Sequence, residues 1–180
     1  MVYTHYITKR PRSIDDGVWS LIITDFLTLQ DELKGIIGGK DGVGEAQINR
    51  TDPIQFNGRG DDAMVDFVFK QVDHDQPSNT PTGKRPYDLA VCCGLLILKY
   101  HLKQELEVST QGDFEDWKDA FSLYKYLFDR PAPKMFEEQG KQLRVAAVLH
   151  DLTDDEIEEM KNKLKEILEK NSEKHYIRII

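Results

Sequence analysis

One run near the middle of the chain constrains the fold more than any other: Leu89-Ala90-Val91-Cys92-Cys93-Gly94-Leu95-Leu96-Ile97-Leu98, without a charged or amide side chain in it. Pro86 suits the first position of a helix, where its missing N–H is not needed, and the pattern predicts a helix from there through Leu102. A helix that is apolar on every side cannot lie on a surface and has to be covered on several sides. Gly94 within it leaves room for a close neighbour. The run is well short of the roughly 18 to 20 apolar residues that a membrane-spanning helix needs, so it reads as a helix in the middle of a protein.

Periodicity supplies the covering elements. Ser13 as N-cap, with Asp15 and Asp16 in the first turn, opens a helix carrying Val18, Leu21, Ile22, Phe26, Leu29 and Leu33 on one face and ending near Lys34 at Gly35. Asp113 caps another with Phe114, Trp117, Phe121, Tyr124, Leu127 and Phe128, ended by Arg130-Pro131-Ala132-Pro133. Strands are expected at Tyr3–Lys9, Glu45–Arg50, Pro53–Phe56, Ala63–Val72 and Leu106–Ser109. In the fourth of these, Val65, Phe67 and Phe69 alternate to one face. Asn57-Gly58 is a hairpin signal, the glycine-rich stretch 35–44 reads as turns, and the polar segment 73–85 reads as a mobile loop. Beyond residue 136, Leu143–Leu149 and Tyr176–Ile180 read as parallel strands around a helix opened by a Thr153–Glu156 capping box. The expected fold is therefore α+β: a small, mostly antiparallel sheet packed by about three helices. A core domain over 1–136 carries a C-terminal strand–helix–strand attachment over 137–180.

The chain has 24 basic and 32 acidic side chains, a net charge of −8. That excess opposes approach to phosphate backbones, and the basic residues gather only at Lys9, Arg10 and Arg12 and at Lys84 and Arg85, so general nucleic-acid binding is not expected. The cysteines are adjacent, Cys92 and Cys93, and on a helix such neighbours diverge by about 100°, which rules out an ordinary disulfide between them. They also lack sequence neighbours at zinc-ligand spacing, so no metal site and no cofactor is expected. With neither a signal peptide nor an apolar span, the expectation is a soluble cytoplasmic protein.

Several motifs fail on inspection. Gly38-Gly39-Lys40-Asp41 follows a helix and lacks both the earlier glycine and the later hydroxyl of a phosphate loop. His150-Asp151 and Asp73-His74-Asp75 have metal-ligand residue types but no complementary cluster, and no Ser or Cys stands in a nucleophile elbow. One constellation remains. Lys84, Arg85, Tyr87 and Asp88 crowd the start of the apolar helix, Lys99, Tyr100 and His101 close its end, and Ser109 to Asp113 form a polar loop leading into the next helix. Helix N-termini with cations nearby favour an anion.

On this stretch, Lys84-Arg85-Pro86-Tyr87-Asp88, then Lys99-Tyr100-His101, then Val108-Ser109-Thr110-Gln111-Gly112-Asp113 and Trp117 resemble a pattern in small uncharacterised phage and prophage proteins. The chain departs from that pattern at Arg85, Tyr100, Thr110 and Gln111. The resemblance implies a bacterial host and a role in binding. The functional expectation is a non-enzymatic interaction protein that engages a host protein or a small anionic ligand through Lys84, Arg85, Tyr87, Asp88, Lys99, His101, Ser109 and Asp113. A hydrolase or transferase is the alternative, with Lys84, Arg85 and Lys99 on phosphate and His101 or Asp113 as acid or base. A structural or assembly subunit is the third, and a homo-oligomer is left open.

Overall fold

The structure, a computed structural model, describes residues 2–9, 13–51, 53–72 and 78–136. The chain divides into two units, Met1–Phe136 and Glu137–Ile180, and all described residues belong to the first. The expected strand–helix–strand attachment, His150-Asp151 and Asp73-His74-Asp75 lie outside the described residues.

The apolar run forms a helix that the rest of the unit surrounds. This helix, α2 by order along the chain, spans Asp88–Leu102, and every residue from Ala90 to Leu98 is buried. It begins two residues later than expected. Pro86 stands in the turn ahead of it, where the Asp88 amide donates to the Arg85 carbonyl.

Helix α1, Asp16–Leu33, covers one side with Trp19, Ile22, Ile23, Phe26, Leu29 and Leu33, whereas Leu21 faces outward. Its cap is Asp15 rather than Ser13: Asp15 Oδ1 accepts from the amides of Gly17 at 2.8 Å and Val18 at 3.3 Å. Ser13 instead bridges to Val72. Helix α3, Lys118–Phe128, covers another side with Ala120 and Tyr124. Asp113 does cap this region, but the turn it opens is a tight one at Glu115–Trp117 that precedes the helix proper.

Among the described residues, two three-stranded sheets, antiparallel throughout, complete the unit. In the first, β1 (Thr4–Lys9) lies between β5 (Ser78–Pro81) and β6 (Leu106–Thr110). In the second, β3 (Ile54–Gly58) lies between β2 (Ile37–Gly38) and β4 (Phe67–Phe69). The α+β class holds, with two small sheets in place of one.

Strand β5 sits inside the segment expected to be a loop. As an edge strand it needs no apolar alternation and tolerates Pro81 at its end. Of Glu45–Arg50 only Gln47 pairs, with Gln55. Expected strand Ala63–Val72 shortens to Phe67–Phe69, and Val65 is exposed. The reason is local. The Asn57 side chain accepts from the Gly58 and Met64 amides and donates to Asp66, which holds the approach to β4 in a loop. Asn57-Gly58 consequently ends β3 rather than turning a hairpin, and Gly58 is required there because a Cβ would stand 2.2 Å from the Asp62 carbonyl oxygen.

Helices α1 and α2 pack closely at Gly94. A Cβ on Gly94 would lie 3.0 Å from Phe26 Cε1 and 3.1 Å from its Cζ. Phe26 is fully buried and stacks on Phe67, so its ring has little freedom to retreat. Gly94→Val should therefore lower stability by about 2 kcal/mol or more, measured by urea unfolding. Adding Phe26→Leu should recover part of that loss, as expected of residues in direct contact.

Candidate functional site

The constellation expected around α2 divides between its two ends, which a helix of this length holds about 20 Å apart. A buried helix has to emerge somewhere, and at each end its unpaired backbone groups and first polar side chains meet what surrounds them.

At the N-terminal end, the expected cations are already engaged. Lys84 donates to Asp116 and lies 4.8 Å over the Tyr3 ring. The hydrogen bond to Asp116 raises the Lys84 pKa and lowers that of Asp116. Arg85 reaches back to the carbonyls of Asp61 at 2.8 Å and Ala63 at 2.6 Å. Tyr87 is fully buried, its hydroxyl 3.0 Å from the Val65 carbonyl and 3.2 Å from that of Pro81. Asp113 is committed to its capping turn, and Ser109 is exposed on β6 opposite Tyr6. These residues fasten the loops to the helix start and leave no free cation among themselves for an anion.

Asp88 does something else. Its Oδ1 accepts from His5 Nε2 at 2.8 Å and from the Thr82 hydroxyl, and Cys92 Sγ lies 3.8 Å from both Asp88 Oδ2 and His5 Nε2. His5 comes from β1 and is fully buried. Burial, reinforced by the Asp88 carboxylate, pushes the Cys92 thiol well up, so it stays protonated at neutral pH. Such a thiol is not an activated nucleophile. Burial likewise takes Cys93 up to about 12.

The C-terminal end is built differently. Lys99, Tyr100, His101 and Lys103 from α2 and the turn after it, with Pro133 and Lys134, line an open groove of about 690 Å³. Val18 and Leu21 of α1 form its apolar side. Lys99 Nζ donates to the Leu106 carbonyl at 2.6 Å, whereas the ammonium groups of Lys103 and Lys134 have no partner among the described residues. His101 Nε2 contacts Asp25 Oδ2 at 2.7 Å. Arg130 donates to the same carboxylate oxygen and, through Nε, to the Tyr124 hydroxyl at 2.7 Å. Its guanidinium stacks 3.8 Å from the centre of the Tyr100 ring. This network ties α1, α2 and the segment after α3 together behind the groove.

Of the expected residues, then, the structure brings Lys99 and His101 together at one end and Lys84, Arg85, Tyr87, Asp88 and Asp113 into the neighbourhood of the other. Lys103 and Lys134 at the groove, Asp25 and Arg130 behind it, and His5 and Thr82 beside Asp88 carried no signal of their own. Arg130 could be read only as part of a helix terminator, and His5 as one residue of a strand.

Asp25 provides the test of the network. Burial raises its pKa, but the hydrogen bonds and charges of His101 and Arg130 outweigh that and leave it below the ordinary value. A carboxylate depressed in this way contributes stability that is fully present above the unfolded value of about 4 and is lost as pH falls through the lower folded one. Asp25→Asn should cost about 1.5 to 3 kcal/mol at pH 7, with the difference from the parent protein shrinking below about pH 3, as read from urea midpoints across that range.

No protein-family model, no curated protein and no solved structure matches the chain.

Proposed function

We propose that the protein is a binding protein whose ligand is a small organic anion with an apolar or aromatic portion, held in the groove at the C-terminal end of α2. One observation carries this reading. On a chain with a net charge of −8, the groove is lined, among the described residues, by Lys99, Lys103, Lys134 and His101 and by no carboxylate, beside an apolar wall of Val18, Leu21 and Pro133. The last carbonyls of a helix present roughly half a negative charge, which opposes an anion, but three lysines outweigh it. Exposed Tyr100, backed by Arg130, offers an aromatic face. Given the resemblance to phage proteins, the ligand would be a metabolite of a bacterial host.

Lys103 adds a further argument. It sits at φ 51°, ψ −114° just past the helix, a conformation that glycine adopts freely and a lysine does not. A side chain kept there at a conformational cost points to use of its charge. Lys103→Gly should therefore leave the melting temperature unchanged or raise it, while weakening anion binding at least fivefold. Isothermal titration with adenosine monophosphate, sugar phosphates and aromatic carboxylates checks this. Binding of none of them below about 1 mM, or an affinity that Lys103→Gly leaves unchanged, removes the reading.

The Asp25–His101 pair favours a second reading, hydrolysis or group transfer on a phosphorylated compound in the same groove, with His101 as acid or base. Asp113 takes no part in it, since its neighbour Asp116 pairs with Lys84 at the other end of α2. In that case a screen of phosphorylated substrates finds turnover that His101→Gln abolishes while ligand affinity changes less than threefold. Turnover surviving that substitution counts against the assignment.

A further inference from the structure

Three side chains with metal-ligating atoms meet at the N-terminal end of α2, away from the groove. Asp88 and Cys92 are one helical turn apart on the same face of α2, and His5 reaches them from the central strand of the first sheet. Their donor atoms all lie within 4.8 Å of one another. The arrangement is not that of a nucleophile, base and orienting acid. In such a relay the thiol and the carboxylate engage opposite nitrogens of the imidazole. Here Asp88 and Cys92 both approach His5 Nε2, while Nδ1 is buried without a hydrogen-bond partner. Three donor atoms converge on one point from three sides, which suits a ligand set and does not suit proton transfer along a chain.

We propose that His5 Nε2, a carboxylate oxygen of Asp88 and Cys92 Sγ bind one divalent transition-metal ion of the zinc class. The distances fit with small adjustment. A tetrahedral zinc with bonds near 2.0 Å to nitrogen and oxygen and near 2.3 Å to sulfur separates its ligands by about 3.3 to 3.6 Å. Sulfur stands 3.8 Å from His5 Nε2 and 3.8 Å from Asp88 Oδ2, while the imidazole meets the other carboxylate oxygen, Oδ1, at 2.8 Å, and with one atom taken from each residue all three donors lie within 4.8 Å. A turn of the Asp88 carboxylate, with shifts of about an ångström, brings one of its oxygens to ligand separation from both nitrogen and sulfur.

The donors also choose the metal. One imidazole and one thiol beside a single carboxylate suit zinc or cobalt(II), and do not suit calcium or magnesium, which take oxygen ligands. The Thr82 hydroxyl, which donates to Asp88, would orient the carboxylate from outside the ligand set. Three protein ligands leave a fourth position for water, and the partly exposed Asp88 marks the side from which an ion enters. Binding breaks the S–H bond of Cys92 and passes that one proton to solvent, the thiolate sulfur and the Asp88 carboxylate each give a lone pair, and His5 binds as a neutral imidazole through the Nε2 lone pair with its single N–H on Nδ1.

The experiment uses the full chain, stripped with chelator and titrated with cobalt(II). The expected result is saturation at one ion per chain, with a thiolate-to-cobalt charge-transfer band and tetrahedral d–d absorption that zinc abolishes by displacement. Cys93→Ala should keep the band, and Cys92→Ala should lose it while its circular dichroism in chelator stays native. Should Cys92→Ala fail to fold, the near-isosteric Asp88→Asn decides: a tenfold or greater loss of cobalt affinity upholds the site. The proposal is overturned by a folded wild-type protein that shows no charge-transfer band, by a band that persists in folded Cys92→Ala, or by an affinity that Asp88→Asn leaves unchanged.

Discussion

The burial of α2 governs the rest of the structure. From Ala90 to Leu98 no side chain reaches water, and each large aliphatic residue taken out of solvent is worth roughly 1.5 to 3 kcal/mol. No single element can cover such a helix. Helix α1 takes one side and α3 another, and β6 packs beside them. The close approach of α1 at Gly94 is the consequence: a ring as large as Phe26 is pressed onto α2 where the side chain is absent. A helix so enclosed has polar groups only at its two ends, and those ends are where the chemically distinctive residues of this unit are found.

The ends are satisfied by different means. At the N-terminus, Tyr87 carries much of the connection. Its buried hydroxyl reaches Pro81 at the end of β5, and it both faces the Val65 carbonyl and accepts from the Val65 amide in the loop before β4. One phenol thereby links the strand edges of both sheets to the helix start. Gly58 accommodates it, since a Cβ there would stand 2.9 Å from the Tyr87 ring. At the C-terminus the link is electrostatic instead. Asp25 sits between His101 and Arg130, and Arg130 stacks on Tyr100 and Phe128. A half-buried carboxylate left with only one of these partners would be poorly compensated, so the three residues act as a unit.

The extent to which the sequence announces this arrangement follows from the range of each interaction. Helix α2 was legible because ten successive apolar residues carry their own explanation, and α1 and α3 because their buried faces repeat at helical spacing. The strands β1 and β6 were legible for the same local reason. By contrast, β5 is held by its pairing with β1 and shows little apolar alternation of its own, with Ser78 and Asn79 exposed and Thr80 buried. Asn57-Gly58 misled because the amide serves a loop through Asp66 and Met64, a use that dipeptide statistics do not encode. The site residues divide along the same line. Lys84, Arg85 and Asp88 drew attention by their local crowding, but the partners that define their roles, Asp116, the Asp61 and Ala63 carbonyls, and His5, are distant in sequence. His5 and Asp88 are 83 residues apart, and no spacing rule joins a strand histidine to the first turn of a helix that far along the chain.

The adjacent cysteines show how the buried helix separates its surroundings. Their side chains leave α2 in directions about 100° apart. Cys92 therefore faces β1 and meets His5 and Asp88, while Cys93, whose nearest charged influence is Asp25, faces toward α1. One thiol stands among ligating groups and the other among apolar ones, although both are equally removed from water. Exclusion from solvent alone thus does not distinguish them. The sheet does, because among the described residues only β1 carries an imidazole to the helix, and it does so at the level of Asp88 and Cys92. Moving His5 by one residue along β1 would turn its ring to the opposite face of the sheet, where Tyr6 is now exposed. The chemistry at that end of α2 accordingly rests on the register of β1 against β5 and β6, in which Thr80 and Thr110 stand opposite His5 on its two sides.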